Sequence, residues 1–150
     1  MEHKAKFECI VIADDDPDDR FLIEDAFRES GIMNELKFVE DGEELLELLR
    51  GVGRYGEGGA GIRPGLVLLD LNMPRMDGRE ALKEIRSDSH LQNIPVVILT
   101  TSVSDDDVQG AYDSGANSYI SKPGTFEDLV NVAKILTTYW TNVVRQAPAS

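Results

Sequence analysis

The stretch from residue 66 to residue 78, LVLLDLNMPRMDG, constrains this chain more than any other. The apolar run 66–69 leads directly into Asp70, and the pair Asp77 and Gly78 marks a turn at the end of the stretch. A short apolar run without polar alternation is typical of a strand buried on both faces of a parallel sheet. Because open α/β sheets keep their reactive groups at the carboxyl ends of their strands, Asp70 is the candidate for the reacting group.

Composition and charge exclude several classes of protein. The chain has 150 residues, which suits one domain with a substantial core, and 41% of them are hydrophobic. A net charge of −13 and a pI near 4.4 argue against direct binding to nucleic acid or to an anionic membrane, because both require clustered Lys and Arg. No apolar run approaches the ~20 residues of a membrane-spanning helix, and the N-terminus has no signal-peptide pattern. The single cysteine, Cys9, fits a reducing compartment, so we expect a cytoplasmic protein with Cys9 as a small buried side chain.

Apolar runs and helical segments alternate along the chain. The predicted strands are residues 7–13, 36–39, 66–69, 95–99 and 118–121, and a helical segment follows each of them. This alternation predicts an α/β fold in which helices cover both faces of a doubly wound parallel sheet through right-handed crossovers.

The predicted helices carry recognisable start signals. Asp16, Ser104 and Thr125 are expected to cap the first, fourth and last helices. In the first helix, apolar residues recur at helical spacing: Phe21, Leu22, Ala26 and Phe27. The last helix is predicted to run to about Arg145.

Residues 51–65, GVGRYGEGGAGIRPG, form a glycine-rich insertion. Its composition predicts a flexible surface loop. The glycines do not follow the phosphate-loop pattern, and no Lys-Ser or Lys-Thr pair follows them, so we reject a nucleotide cradle. We interpret the segment as a mobile insertion that is available to contact a partner.

Polar residues of matched chemistry follow four of the predicted strands. They are Asp14 with Asp15, Asp70, Thr100 and Lys122. In a doubly wound sheet these strand ends converge on one rim, where the carboxylates repel one another. A divalent cation and the ammonium of Lys122 are two groups that could offset this repulsion. Hard carboxylate oxygens favour Mg²⁺ or a similar ion such as Mn²⁺. A carboxylate beside such a cation, a lysine and a hydroxyl is suited to attack phosphorus and form an aspartyl phosphate.

Each of these residues also has a simpler interpretation when it is taken alone. The acidic run 14–16 would then be a helix cap with a solvated turn, and its partial match to a calcium loop is spoiled by Pro17. Thr100 would be a hydroxyl that satisfies the backbone, and Lys122 would be a surface lysine. Four strand ends with complementary groups favour the phosphoryl site over these separate interpretations.

The spaced elements together resemble a response-regulator receiver domain of two-component signalling. The matching elements are Asp14 with Asp15, the segment DLNMPRMDG, Thr100, Tyr119, and Lys122 with Pro123. The resemblance implies a flavodoxin-like (βα)5 fold with strand order 2-1-3-4-5. It also implies that residues 1–150 are a single receiver domain, with its core at about residues 8–144 and no output domain.

The resemblance assigns the chemistry as well. It implies that Asp70 accepts a phosphoryl group from a histidine kinase and that Lys122 bridges to the phosphate. Asp15, Asp70 and the backbone carbonyl of Asn72 are expected to bind Mg²⁺, with Asp14 assisting through a water molecule.

Further residues are assigned by the resemblance to regulation. Thr100 and Tyr119 are expected to form the switch pair, in which the hydroxyl moves to the phosphate and the ring turns inward. Asn72 and Ser102 occupy positions that tune autodephosphorylation. The peptide bond before Pro123 is expected to be cis.

Several segments resemble the small stand-alone regulators that are paired with bacterial phytochromes. They are the long loop before Asp70 and the sequences LTTS, YISKP and TTYWTNVV. The expected partner is therefore a sensor histidine kinase, specifically a bacteriophytochrome.

The last helix carries a second apolar stripe beside the stripe that covers the sheet. Val132, Ile135 and Tyr139 form it, and Trp140 lies next to it. We predict that the fourth helix, fifth strand and last helix form a homodimer surface that includes these residues. The alternative is a helix that folds back on its own domain.

Three functions remain open from the sequence. The first is a phosphorylation-controlled signalling module that dimerises or binds a partner. It is not expected to be an enzyme, because it would catalyse only its own phosphorylation and autodephosphorylation. The second is a phosphorelay intermediate or phosphate sink. The third is a phosphatase of the haloacid-dehalogenase class, which requires a second aspartate where this chain has Asn72.

Overall fold

The computed structural model of the chain describes residues 9–56 and 61–143. Its strands are β1 (Cys9–Ala13), β2 (Glu35–Val39), β3 (Leu66–Leu69), β4 (Val96–Thr100) and β5 (Ser118–Ser121). Its α-helices are α1 (Pro17–Glu29), α2 (Gly42–Arg50), α3 (Gly78–Ser87), α4 (Asp105–Asp113) and α5 (Phe126–Thr137). A short 3-10 helix, Gly53–Tyr55, follows α2, and a π-helical segment, Thr138–Val143, continues α5.

The strands form one parallel sheet in the order β2-β1-β3-β4-β5, as predicted. Every residue of β1, β3 and β4 is buried, because helices cover both faces of the sheet. The edge strands β2 and β5 are partly exposed. The carboxyl ends of the three central strands therefore lie side by side at one rim.

Two apolar clusters hold the helices against the sheet. Val11 of β1 packs with Leu45 of α2 and Ile85 of α3 on one face. Ile10, which points to the opposite face, packs with Phe27 of α1. The alternation of side chains along each strand divides the core between the two faces.

The first helix begins as predicted but buries a different set of residues. Asp16 caps it by accepting a hydrogen bond of 2.9 Å from the amide of Asp18. Its buried residues are Ile23, Ala26 and Phe27, whereas Phe21 and Leu22 are exposed. A surface helix buries one stripe of residues spaced by three and four, and the residues at 23, 26 and 27 form that stripe.

The glycine-rich insertion is held against α2 over part of its length. The Tyr55 hydroxyl lies 2.5 Å from the carboxylate of Glu44, and Arg54 pairs with Glu47 at 2.6 Å. Burial and the bond to Glu44 raise the pKa of Tyr55 to about 12. Side chains interspersed among the glycines thus anchor residues 53–55 against α2, whereas composition alone predicted a flexible surface loop. Residues 57–60 lie outside the described residues.

The last helix begins where it was predicted to begin. Thr125 caps it by accepting from the amide of Asp128 at 3.1 Å, as expected. The α-helical pattern ends at Thr137, and the π-helical segment carries the chain to Val143. The predicted end near Arg145 falls outside the described residues. None of the helices described here is long and apolar enough to cross a membrane.

Candidate functional site

Three carboxylates meet at the ends of β1 and β3. One carboxylate oxygen from each of Asp14, Asp15 and Asp70 lies within 4.8 Å of the others. Asp14 and Asp70 are buried, whereas Asp15 is exposed to solvent. A cluster of hard oxygen donors that is open to water on one side fits Mg²⁺ or Mn²⁺, which keep part of their water shell.

Lys122 provides the positive charge within this cluster. Its Nζ lies 2.7 Å from Asp14, 2.8 Å from Asp19 and 3.1 Å from Asp70, and only 13% of its side chain is exposed. Burial alone would lower the pKa of Lys122, but its hydrogen bonds to Asp14 and Asp19 outweigh burial and raise it. Burial raises the pKa of Asp14, and the bond to Lys122 opposes that effect. Lys122 is therefore a cation in this site.

Asp19 is a site residue that the sequence reasoning missed. It lies in the first turn of α1, three residues after the capping Asp16. No local sequence signal pointed to this role. Its contact with Lys122, 103 positions away in the sequence, depends on how α1 crosses the sheet.

Asp70 has separate partners on its two carboxylate oxygens. The buried Thr100 hydroxyl donates to Oδ1 at 2.7 Å, and the amide of Asn72 donates to the same oxygen at 3.2 Å. Lys122 donates to Oδ2 at 3.1 Å. A hydroxyl, an amide and an ammonium thus surround one buried carboxylate, and they are donors suited to stabilise additional negative charge beside it.

A glycine allows α3 to begin directly against the backbone of Asp70. A Cβ added at Gly78 would overlap the carbonyl oxygen of Asp70 and lie 2.9 Å from the Cα of Leu71. The Gly78 amide donates to the Leu71 carbonyl at 2.9 Å, and Asp77 caps α3. The Asp-Gly turn recognised in the sequence therefore holds the backbone next to Asp70 in place.

The loop between β3 and α3 is also tied to α2. Arg75 donates at 2.8 Å to the buried carboxylate of Asp41, which caps α2. Burial acts to raise the pKa of Asp41, but the amide of Glu44 and Arg75 outweigh it, so that pKa is lowered. Arg75 has φ 64, the single positive φ outside glycine in the described parts of the chain. The sequence did not predict this pair, because the two residues lie in separate turns and no local pattern links them.

The predicted switch residues lie on neighbouring strands beside Asp70. The hydroxyl of Thr100 donates a hydrogen bond to Asp70. Tyr119 of β5 is half-buried against the core cluster that includes Val11, and its hydroxyl donates to the Ser102 carbonyl at 3.0 Å. Thr100 therefore contacts Asp70, and Tyr119 contacts the backbone two residues after Thr100.

The expectation of a cis peptide bond before Pro123 is wrong for this structure. No peptide bond among the described residues is cis, so the bond between Lys122 and Pro123 is trans. The trans form of such a bond is intrinsically favoured by about 0.5–1 kcal/mol. Lys122 reaches Asp14, Asp19 and Asp70 with this bond trans.

Comparisons of sequence place these features among known proteins. The family model described as the response regulator receiver domain matches residues 10–134. The probable methanogenesis regulatory protein FilR2 of Methanothrix harundinacea is 40% identical over 131 residues, which are 87% of this chain and 82% of FilR2. The response regulator Rcp1 of Synechocystis is 36% identical over 135 residues, which are 90% of each chain.

Comparisons of structure agree with those of sequence. The phosphorylated cyanobacterial phytochrome response regulator RcpA superposes with a TM-score of 0.85 at 37% identity, covering 95% of this chain and 99% of RcpA. The Mn²⁺-bound form of Rcp1 superposes with a TM-score of 0.83 at 35% identity, covering 94% of this chain and 99% of Rcp1.

The chain belongs to the response-regulator receiver domain family. It is a signalling module homologous to phytochrome response regulators, as the sequence resemblance indicated. Receiver domains bind a divalent metal, and the cluster of Asp14, Asp15 and Asp70 has the donors for one. They also pair with histidine kinases.

Proposed function

We propose that this chain is a cytoplasmic response regulator whose receiver domain accepts a phosphoryl group on Asp70 from a sensor histidine kinase. The observation that carries this proposal is the arrangement around Asp70. Thr100 and Lys122 each donate a hydrogen bond to one of its two carboxylate oxygens. The carboxylates of Asp14 and Asp15 lie close enough to Asp70 to bind one divalent cation together with it.

The proposed reaction is a direct transfer between the kinase and Asp70. A carboxylate oxygen of Asp70 attacks phosphorus, the P–N bond of the kinase phosphohistidine breaks, and the imidazole leaves with the bonding electron pair and takes up a proton. Lys122 and Thr100 stabilise the charge on the phosphoryl oxygens. Mg²⁺ bound by Asp15, Asp70 and the Asn72 carbonyl, with Asp14 acting through water, would neutralise further charge.

Incubation with Mg²⁺ and acetyl phosphate is expected to add one phosphoryl group to the protein, measured as intact mass. Addition of EDTA is expected to reduce the labelled fraction at least about tenfold, because the transition state then loses its divalent cation. Equal labelling with and without EDTA would contradict the metal dependence. No labelling under conditions that label a known receiver domain, followed by none from a phosphorylated kinase, would contradict the proposal.

We propose a bacteriophytochrome as the kinase partner. The likeness to the phytochrome response regulator RcpA supports this assignment. The likeness to FilR2, a probable methanogenesis regulatory protein, supports a different kinase as the competing candidate. Comparison of the initial phosphotransfer rates from a phosphorylated bacteriophytochrome and an unrelated phosphorylated kinase decides between them.

We also propose that α4, β5 and α5 form a homodimer surface. Ile135 and Tyr139 are 67% and 49% exposed, and Tyr112 of α4 is also exposed beside the edge strand β5. Val132 and Trp140, which belong to the same predicted surface, pack partly against their own core. The apolar area open to a second copy is therefore centred on Ile135 and Tyr139.

Replacement of Ile135 by glutamate is expected to weaken self-association at least about tenfold. The reason is that a charge would be buried without a partner at the centre of the contact. Sedimentation equilibrium of the phosphorylated and unphosphorylated protein measures the effect, and Leu22→Glu on the exposed face of α1 is the matched control. A wild-type protein that stays monomeric at high concentration in both states would contradict the dimer.

A further inference from the structure

A chain of polar contacts links the start of α3 to the loop after β4, outside the acidic cluster. Arg79 Nη2 lies 2.9 Å from one carboxylate oxygen of Asp107, and the Ser102 hydroxyl donates at 2.6 Å to the other. The Ser102 carbonyl accepts the Tyr119 hydroxyl at 3.0 Å. We call the ion pair between Arg79 and Asp107 the latch. It joins α3 and α4 across the loop that follows Thr100.

Asp107 is the residue that connects these contacts to one another. It lies in the first turn of α4, where its amide donates to the capping Ser104 at 3.3 Å. The bonds from Ser102 and Arg79 lower the pKa of Asp107. Both carboxylate oxygens are occupied by donors on different elements, so a shift of Asp107 would move the Ser102 loop.

The latch lies beside the phosphoacceptor without touching Asp70. Arg79 Nη1 is 3.5 Å from the side-chain oxygen of Asn72, two residues after Asp70. Ser102 is likewise two residues after Thr100, which contacts Asp70. The latch therefore restrains one residue on each of the two loops that flank the acceptor carboxylate.

We propose that Arg79 and Asp107 are positioning residues that hold the loop after β4 beside the loop that follows Asp70 and hold Tyr119 in its half-buried position. This inference rests on the proposed function, in which Asp70 carries the phosphoryl group. In hydrolysis, a water oxygen attacks phosphorus, the bond to the Asp70 oxygen breaks, and carboxylate and inorganic phosphate are released. A loop held in place restricts the approach of that water, so the latch prolongs the life of the aspartyl phosphate.

The first test measures the position of Tyr119 in the unphosphorylated protein. The chain contains four tyrosines, so labelling with 3-fluorotyrosine gives a small set of ¹⁹F resonances, and Tyr119→Phe assigns the relevant one. Arg79→Ala and Asp107→Ala are expected to shift or broaden that resonance, and Arg79→Lys is expected to restore most of it. Arg54→Ala is the matched control. Arg54 pairs with Glu47 at 2.6 Å with side-chain exposures of 47% and 24%, close to the 41% and 26% of Arg79 and Asp107 in the latch.

The second test measures the half-life of the phosphorylated protein after removal of acetyl phosphate. Arg79→Ala and Asp107→Ala are each expected to shorten it at least about threefold, and Arg54→Ala is expected to leave it unchanged. Because the two residues act as one unit, the double variant should lose little more than either single variant. Half-lives equal to or longer than that of wild type would overturn the inference.

The two tests separate this inference from the proposed function. If the wild-type protein accepts no phosphoryl group, the proposed function fails, and the Tyr119 resonance alone decides whether the latch positions the loop. If the wild type is phosphorylated but the latch variants keep its half-life, or if the Tyr119 resonance does not respond, the latch fails while the proposed function stands.

Discussion

Replacement of Asp70 by asparagine is expected to abolish phosphoryl acceptance, with no gain of mass after incubation with Mg²⁺ and acetyl phosphate. The amide has nearly the shape of the carboxylate, but its nitrogen is not a nucleophile at neutral pH, and it carries no charge to attract a cation. Thr100 can still donate to the remaining amide oxygen, so the loss arises from chemistry rather than from unfolding. Intact mass spectrometry of the two proteins side by side measures it.

The control for this substitution is Asp25→Asn, which also replaces a carboxylate by an amide, but at an exposed position on α1. It should be labelled at the wild-type rate. Continued labelling of the Asp70→Asn protein would show that another carboxylate accepts the phosphoryl group, and peptide mapping would then distinguish Asp14 from Asp15. That result would refute the central assignment.

Replacement of Lys122 by methionine is expected to lower the free energy of unfolding by about 3 kcal/mol at pH 7 in the absence of divalent metal. Removal of one member of a buried ionic cluster leaves the remaining charges without compensation, which is strongly destabilising. Lys122 contacts three carboxylates, and two of them, Asp14 and Asp70, are buried. Urea denaturation with and without MgCl₂ measures the effect.

Mg²⁺ is expected to recover part of this loss, because a cation bound by the native carboxylates but not by the unfolded chain stabilises the fold. The control is Lys134→Met on the exposed face of α5, which should change stability by no more than about 0.5 kcal/mol. A loss below about 1 kcal/mol for Lys122→Met would mean that the carboxylates relieve their repulsion by protonation or by hydration instead.

Local features of the sequence were sufficient to predict the architecture and most of the polar rim. Buried strands and helix caps are signals that operate within a few residues, so β3, the cap Asp16 and the cap Thr125 appear where they were expected. Because the strands are parallel, their carboxyl ends then lie at the same edge of the sheet. That is why Asp14, Asp15, Asp70, Thr100 and Lys122 could be grouped before any distance was known.

The tertiary structure alone decided which side chains complete the site. The contact of Asp19 with Lys122, the pair of Arg75 with Asp41, and the latch join residues far apart in sequence. Such contacts depend on helix rotation and on loop conformation, including a positive φ at Arg75, and no local periodicity encodes them.

The sequence by itself thus determined the fold class, the strand order implied by family resemblance, and the position of the phosphoacceptor candidate. Only the tertiary structure decided that Phe21 faces solvent, that the bond before Pro123 is trans, and that Arg79 and Asp107 join α3 to α4. The physical reason is the distance along the chain between the residues that determine each feature. Hydrogen-bonding pattern and apolar spacing are set by neighbouring residues, whereas burial and ion pairing are set by elements that meet only when the chain has folded.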